Sequence, residues 1–360
     1  MPIQNKKLNI AQIAPFGTPI SAKQNKAIYS HVAHLVDGFV DKKHNVTLFG
    51  NPKSDVKGQI TGSIFNINDD QEKKETILRY EQWGLLSDCY LAAKQKAFDV
   101  IHSHLTVMTG FFSRLEKNIP TLISIHSPIE DWMKPILLKH KDEKYISFSL
   151  AQRKQLPELN WYANIYHGVD TDLFSFEENP DDYVLFIGRI TQDKGAHIAI
   201  KTAKEAGIPL RIAGRSYGTE NYWHEMIEPH IDGNTVRYFG EVSLEDKIPL
   251  IQKAKAIIFP VLWQEPFGYV LVEAMSCGTP VVAFANGSVP EIVKNNVTGF
   301  IVESEEEMTE AIKKIDTIDR KKVRNRAEQF FSLKKMLTHY ESVYKRVIQE
   351  VKFKRNKNTD

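Results

Sequence analysis

Two carboxylates and two cations in the second half of the chain are spaced for work on a phosphate-bearing sugar. Glu265 and Glu273 bracket Glu265-Pro-Phe-Gly-Tyr-Val-Leu-Val-Glu273, a segment whose glycine turn leads into an apolar helix start. Such a turn exposes backbone N–H groups whose partial positive charge suits a phosphate, while carboxylates suit the hydroxyls of a sugar or ribose. Upstream, Gly188-Arg189-Ile-Thr-Gln-Asp-Lys194-Gly195 frames two cations with glycines just after an apolar, strand-like run. Arg can hold a diphosphate with paired hydrogen bonds, and Lys adds a point charge. A nucleoside diphosphate gains negative charge as it leaves a sugar, so fixed cations there favour the transition state over the ground state. The bland alternatives are solvated loop charges for Arg189, Lys194 and Glu265, and a carboxylate complementing its own helix dipole for Glu273.

These residues need a frame, and the pattern supplies one. Short β-like runs alternate with helical stretches, which predicts an α/β protein with parallel sheets covered by helices. A first series of strands is expected at 8–14, 46–49, 100–102 and 121–125, with a helix over 29–42 carrying Val32, Leu35, Val36, Phe39 and Val40 at helical spacing. A second series is expected at 183–187, 210–213, 236–239, 256–259, 280–283 and 299–302. In open α/β sheets a ligand lies beyond the carboxyl ends of the strands, and both cations follow the 183–187 run. The junction is placed between an N-terminal domain, 1–172, and a C-terminal domain, 173–336. An amphipathic stretch over 333–351 closes the chain with one apolar stripe, and its part at about 337–353 is expected to pack back on the first domain.

Bulk composition excludes several classes. At 360 residues, with 42% apolar and 26% charged residues, the chain is an ordinary globular one with room for two domains. A formal charge of +2 gives no argument for nucleic acid. Two cysteines, Cys89 and Cys277, imply no disulfide framework and fit a reducing compartment. There is no signal-peptide core and no run long enough to span a bilayer, so the expected location is cytoplasmic, at most at the inner face of the membrane. The Asn45, Asn286 and Asn296 sequons then carry no weight. Trp132-Met-Lys-Pro-Ile-Leu-Leu-Lys139 mixes large apolar and basic residues, which reads either as a surface segment in peripheral membrane contact or as a buried helix with solvated lysines.

Taken in order, Phe186-Ile-Gly-Arg189, Lys194-Gly and the Glu265/Glu273 segment with Phe-Gly-Tyr inside it resemble glycosyltransferase family 4. The motifs around His104, His126, His167-Gly-Val-Asp170 and Phe331-Ser-Leu-Lys-Lys-Met336 fall in the same order, so the resemblance spans most of the chain. It implies a GT-B fold, with two facing Rossmann-like domains and an interdomain cleft, and a retaining, metal-independent transferase. The donor would be a UDP-, GDP- or ADP-sugar, the acceptor a glycan, lipid-linked or small-molecule hydroxyl, with no other cofactor. Arg189 and Lys194 would neutralise the diphosphate, Glu265 would contact the sugar hydroxyls and Glu273 the ribose. Gly188 and the backbone of Phe267, Gly268 and Tyr269 would line the pocket, with Val270 flanking the ribose unless it is plain core. His126 would position the sugar, its alternative being a satisfied core histidine, and Gly17 would let the substrates approach. Where family members carry two adjacent glycines after the first strand, this loop reads Pro15-Phe-Gly17-Thr-Pro-Ile.

Two patterns suggest a metal and are set aside. Asp170-Thr-Asp172 matches an Asp-x-Asp diphosphate–metal motif but lies between the two strand series, and the family leaves that task to Arg189 and Lys194. His102-x-His104 would point both imidazoles to one side of a strand near His126, yet no clustered Cys or Glu completes a zinc site. No metal is expected. A nucleotide-sugar epimerase on the same architecture and a non-catalytic sugar-nucleotide-binding subunit are the rival readings.

Overall fold

The apolar runs become parallel strands buried on both faces, as the covering helices require. In the computed structural model, which describes residues 6–24, 26–62, 71–216 and 220–357, the strands form two separate sheets. The first contains β1 (Asn9–Ile13), β2 (Asn45–Phe49), β3 (Gln59–Thr61), β4 (Val100–Ser103), β5 (Thr121–Ser124), β6 (Tyr145–Ser147) and β7 (Trp161–Asn164), in the order β3-β2-β1-β4-β5-β6-β7. The second contains β8 (Val184–Ile187), β9 (Leu210–Ala213), β10 (Val236–Tyr238), β11 (Ala256–Phe259), β12 (Val281–Phe284) and β13 (Gly299–Val302), in the order β10-β9-β8-β11-β12-β13. Every pairing is parallel. Each sheet reverses its strand order once, at β1/β4 and at β8/β11, where a doubly wound sheet opens a crevice beyond its carboxyl ends.

Two structural units follow. One comprises Met1–Phe148, Arg153–Ile165 and Met336–Asp360, the other Ser149–Gln152 and Tyr166–Lys335. The division therefore falls before the segment 166–172, which the sequence reading gave to the first domain. Its backbone explains why: Val169 N–H donates to Phe331 O at 2.8 Å, Leu333 N–H donates to Val169 O at 3.0 Å, and Tyr269 Oη donates to Gly168 O at 2.8 Å. These bonds tie the segment to the second unit.

The first unit's core lies on both faces of its sheet. The helix Gln71–Lys94, not anticipated from sequence, buries Leu85, Leu86, Cys89 and Tyr90 against Ile13, Phe49 and Ile101. The helix Ala27–Asp41 buries Val32, Leu35, Val36 and Phe39, and the C-terminal helix Leu333–Lys357 buries Met336, Tyr340, Tyr344, Val347 and Ile348. These two helices meet at Gly38, where an added Cβ would stand 2.4 Å from Leu337 Cδ1.

Candidate functional site

In the second unit, β8 delivers the chain to Gly188 and Arg189, and Arg189 is exposed. A short 3₁₀ turn, Gln192–Lys194, and the helix Ala196–Ala206 follow. Lys194 Nζ donates to Glu265 Oε2 at 2.6 Å, with the two side chains only 15% and 13% exposed, and lies 4.5 Å from the centre of the Trp263 ring. A mostly buried ammonium on an indole face gains a cation–π contribution in addition to its ion pair. The Glu265 backbone is braced by the loop after β12. Ser288 N–H donates to Glu265 O at 3.0 Å, and at Gly287, with φ 58°, a Cβ would stand 2.3 Å from Glu265 O. Asn286 Nδ2 donates to Val261 O at 2.7 Å, so the sequon-like Asn286-Gly-Ser288 is a brace for the carboxylate.

Gly268 adopts φ 74° as it caps the helix Tyr269–Ser276, a left-handed turn that an L side chain resists. That turn sets the positive dipole end of the helix there, and Leu271 N–H donates to Gly268 O at 2.9 Å. Phe267 is buried, edge-on to His167 with centroids 4.8 Å apart, and so anchors the turn on the His167-Gly-Val-Asp170 motif. Leu271 is core, whereas Val270 is half-exposed. Glu273 is buried and accepts from Lys247 Nζ at 2.7 Å, a partner the sequence reading missed. Removing either member would leave a buried charge uncompensated. Among the described residues, Thr191 Oγ1, Trp263 Nε1 and Ser288 Oγ are buried without a hydrogen-bond partner in the protein. Asp170 Oδ1 accepts from the N–H groups of Asp172 and Leu173 at 3.0 and 3.2 Å, which makes it a turn-forming residue of the loop.

In the first unit, Gly17 is exposed in the loop after β1, and a Cβ there would meet Leu78 at an ordinary 3.5 Å. The protein itself does not require glycine at that position. His126 follows β5, half-buried, with its Nε2 2.7 Å from His104 Nδ1. His104 Nε2 lies 3.0 Å from Gln12 Oε1, and Gln12 Nε2 donates to Tyr344 Oη at 2.9 Å. Tyr344 Oη in turn lies 2.7 Å from His102 Nδ1, and His102 Nε2 lies 2.8 Å from Ser124 Oγ. Burial pushes the His126 imidazole down to about 3, and burial, then the neighbouring His126, does the same to His102. Among the described residues, the imidazole trio close enough to share an ion is His31, His104 and His126, whose nitrogens lie within 4.8 Å of one another. His102, which the sequence reading grouped with His104 and His126, instead faces Tyr344 and Ser124. A metal in the trio would have to displace the proton shared by His104 and His126.

The structure thus pairs Lys194 with Glu265 just before the helix opened by Phe267, Gly268 and Tyr269 in the second unit, with Arg189 on the same loop as Lys194, while Glu273 lies further along that helix against Lys247. His126 and Gly17 belong to the first unit. Gln12, His31 and Lys247 escaped the sequence reading. The visible signal for Gln12 was a polar residue inside the fully apolar run Ile10-Ala-Gln-Ile-Ala14.

Residues 170–330 match the model of the family described as glycosyl transferases group 1. Over these residues the chain is similar to that family, and the match covers the second unit's site from Arg189 to Glu273. An uncharacterized glycosyltransferase of Methanocaldococcus jannaschii is 26% identical over 231 residues, 58% of this chain and 62% of that relative, so the match spans less than two thirds of its length. Among solved structures, the sucrose-phosphate synthase of Thermosynechococcus elongatus superposes with TM-score 0.75 at 18% identity, over 96% of this chain and all 100% of that one. The Anabaena protein HepE, crystallised with UDP and glucose, superposes with TM-score 0.69 at 17% identity, over 93% of this chain and 98% of that one. At these identities the superpositions speak for fold: two Rossmann-like α/β domains of the GT-B glycosyltransferase kind.

Proposed function

We propose that the protein is a retaining, metal-independent hexosyltransferase that moves a sugar from a nucleoside diphosphate to an acceptor hydroxyl. The observation that carries this reading is the Lys194–Glu265 pair at the start of the helix Tyr269–Ser276. It sets a cation against a carboxylate three residues before Gly268, which caps that helix. Lys194 and Arg189 neutralise the departing diphosphate, aided by the amides of Phe267, Gly268 and Tyr269. Glu265 accepts from the donor sugar's hydroxyls. Glu273, held by Lys247, accepts from the ribose, and Val270 flanks it. Gly188 lets the backbone approach the phosphates.

Within the first unit, His126 positions the sugar and Gly17 admits the substrates. The departing phosphate helps the acceptor attack from the same face, since no protein nucleophile is in evidence among the described residues of the second unit's site. The acceptor is a glycan, lipid-linked or small-molecule hydroxyl in carbohydrate biosynthesis, and the buried free cysteines Cys89 and Cys277 suit cytoplasmic work. HepE, with its bound UDP and glucose, makes UDP-glucose the first donor to try.

The test incubates the chain with UDP-, GDP- and ADP-sugars, with and without candidate acceptors, in the presence of EDTA. Release of nucleoside diphosphate with a glycosylated product of unchanged anomeric configuration supports the reading. A converted sugar nucleotide would mark an epimerase, and binding without turnover a sensor. Loss of transfer with EDTA, restored by a divalent ion, would overturn metal independence.

A further inference from the structure

Lys194 is held by partners of two kinds, and only one kind leaves its charge available. Glu265 Oε2 accepts from its Nζ at 2.6 Å, while the centre of the Trp263 ring lies 4.5 Å from Nζ and that of Phe259 5.9 Å. A carboxylate neutralises the ammonium it binds. An indole face attracts the same cation through its quadrupole and carries no net charge, so it cancels none of it. The backbone sets this placement. Leu262 N–H donates to Asp193 O at 2.8 Å, and the residues that follow these two in sequence are Trp263 and Lys194. At Gly195, with φ 74°, a Cβ would stand 2.3 Å from Pro260 O, so the segment after β8 lies directly on the segment after β11. These are the two strands at which this sheet reverses its order. Trp263 Nε1 is buried with no hydrogen-bond partner among the described residues, so no hydrogen bond of the ring accounts for a tryptophan here. Of the aromatic faces, indole attracts a cation most strongly.

We propose that Trp263 is a positioning residue whose indole face keeps the Lys194 ammonium in place, with its charge undiminished, once Glu265 turns to a sugar hydroxyl. A lysine has a flexible four-carbon stem and a strongly hydrated head, so an ammonium without support spreads over many rotamers. In the structure Glu265 supplies part of that support. When a donor's hydroxyls engage the carboxylate and its diphosphate draws the ammonium, the ring contact need not change. Trp263 is assigned no contact with substrate and acts through Lys194. The consequence for donor binding rests on the transferase reading above. The contact between ammonium and ring does not.

Two measurements on the full chain separate these levels. With ¹³C-lysine labelling, the Lys194 εCH₂ protons are assigned by loss of their signal in Lys194→Met. The indole ring current should place them upfield of the other lysines, and Trp263→Leu should return them to the ordinary position. Calorimetric titration with UDP, GDP and ADP then identifies the nucleotide that the wild type binds. The same nucleotide is titrated into Trp263→Leu, Trp263→Phe, Lys194→Met and the double variant of Trp263→Leu with Lys194→Met. Trp263→Leu should weaken binding about 3–30-fold, the scale of a mostly desolvated cation–π contact, and Trp263→Phe, which keeps a face, by less. In the Lys194→Met background, Trp263→Leu should weaken binding by less than about twofold, since the cation it serves is gone. A loss as large in that background as in the wild type would make Trp263 a packing residue and overturn the proposal. Lys194 protons at the ordinary lysine position in the wild type would overturn it too. Should Trp263→Leu fail to fold, Trp263→Phe completes the same cycle. If none of the nucleotides binds while the Lys194 protons shift as stated, the transferase reading fails and the ammonium–ring contact stands.

Discussion

At the scale of single residues, the second unit's site predicts graded losses. Arg189→Ala and Lys194→Ala should each lower kcat/KM by about 10²–10³, the cost of removing a preorganised charge from a developing anion. The two should differ in stability. Arg189 is exposed, so its loss should leave melting unchanged, whereas Lys194→Ala strips Glu265 of its partner at 2.6 Å in a mostly buried setting and should cost about 1–3 kcal/mol. Wild-type kinetics in both variants would remove the pair from the mechanism. Gly287→Ala offers an independent check, because its Cβ would meet Glu265 O at 2.3 Å and N at 2.4 Å from a left-handed backbone. Strain there costs about 1–3 kcal/mol, and relief of the clash must move Glu265. Thermal melting and donor turnover should fall together, although Gly287 has no assigned contact with substrate. A variant that melts lower but turns over normally would detach the loop from the site.

Secondary structure elements carry a different lesson. The C-terminal helix Leu333–Lys357 belongs with the first unit from Met336 onward, although the second unit separates it in sequence from the rest of that unit. A chain ending at Lys335 would expose Phe39, His31 and the buried faces that meet Tyr340 and Tyr344. It is expected to lose the first unit's cooperative melting while the second unit still melts, which calorimetry can resolve. Two unchanged transitions would contradict the packing.

Strands such as Ala256–Phe259 and Leu210–Ala213 were legible because parallel strands buried on both faces read as continuous apolar runs. Gln59–Thr61 and Trp161–Asn164 were not, since the first is mostly exposed and the second only half-buried, which leaves no apolar run to see. The helix Gln71–Lys94 was hidden by a polar N-terminal half. Of the site, the charges and glycines were legible from spacing along one segment. Lys247 and Gln12 were not, because their partners Glu273 and Tyr344 are distant in sequence and only the fold brings them close. In the segment 132–139, Met133 and Leu137 are core, and the exposed Trp132 and half-exposed Lys134 donate to Glu130 and Asp131 at 2.8 and 2.7 Å. With its charge locally balanced, this segment should not co-sediment the chain with anionic liposomes, and binding that is lost in Trp132→Ala would reverse that expectation.

For the molecule as a whole, the buried imidazoles predict how stability responds to acid. Burial lowers His44, His102 and His126 below the ordinary value of 6.5, to about 3 for the last two. A group depressed on folding stays neutral in the native state while the unfolded chain takes up its proton. Its contribution is therefore complete above pH 6.5 and is lost as pH falls from 6.5 toward 3. For the fully buried His102 alone, that loss reaches about 2 kcal/mol by pH 5, at about 1.4 kcal/mol for each pKa unit. Glu341 acts in a lower window. Burial alone would raise it, but the ammonium groups of Lys345 and Lys42 outweigh burial and hold it at about 2, so its contribution is lost only as pH falls from about 4.5 to 2. All four groups sit in the first unit. Calorimetry at pH 7.5, 6 and 5 should therefore show the first unit's transition moving down steadily below pH 6.5 and the second unit's moving less, since there burial lowers His197, with His102→Asn removing part of the first slope. A melting profile that is flat from pH 7.5 to 5 would mean that these rings do not stay neutral and buried in the folded chain.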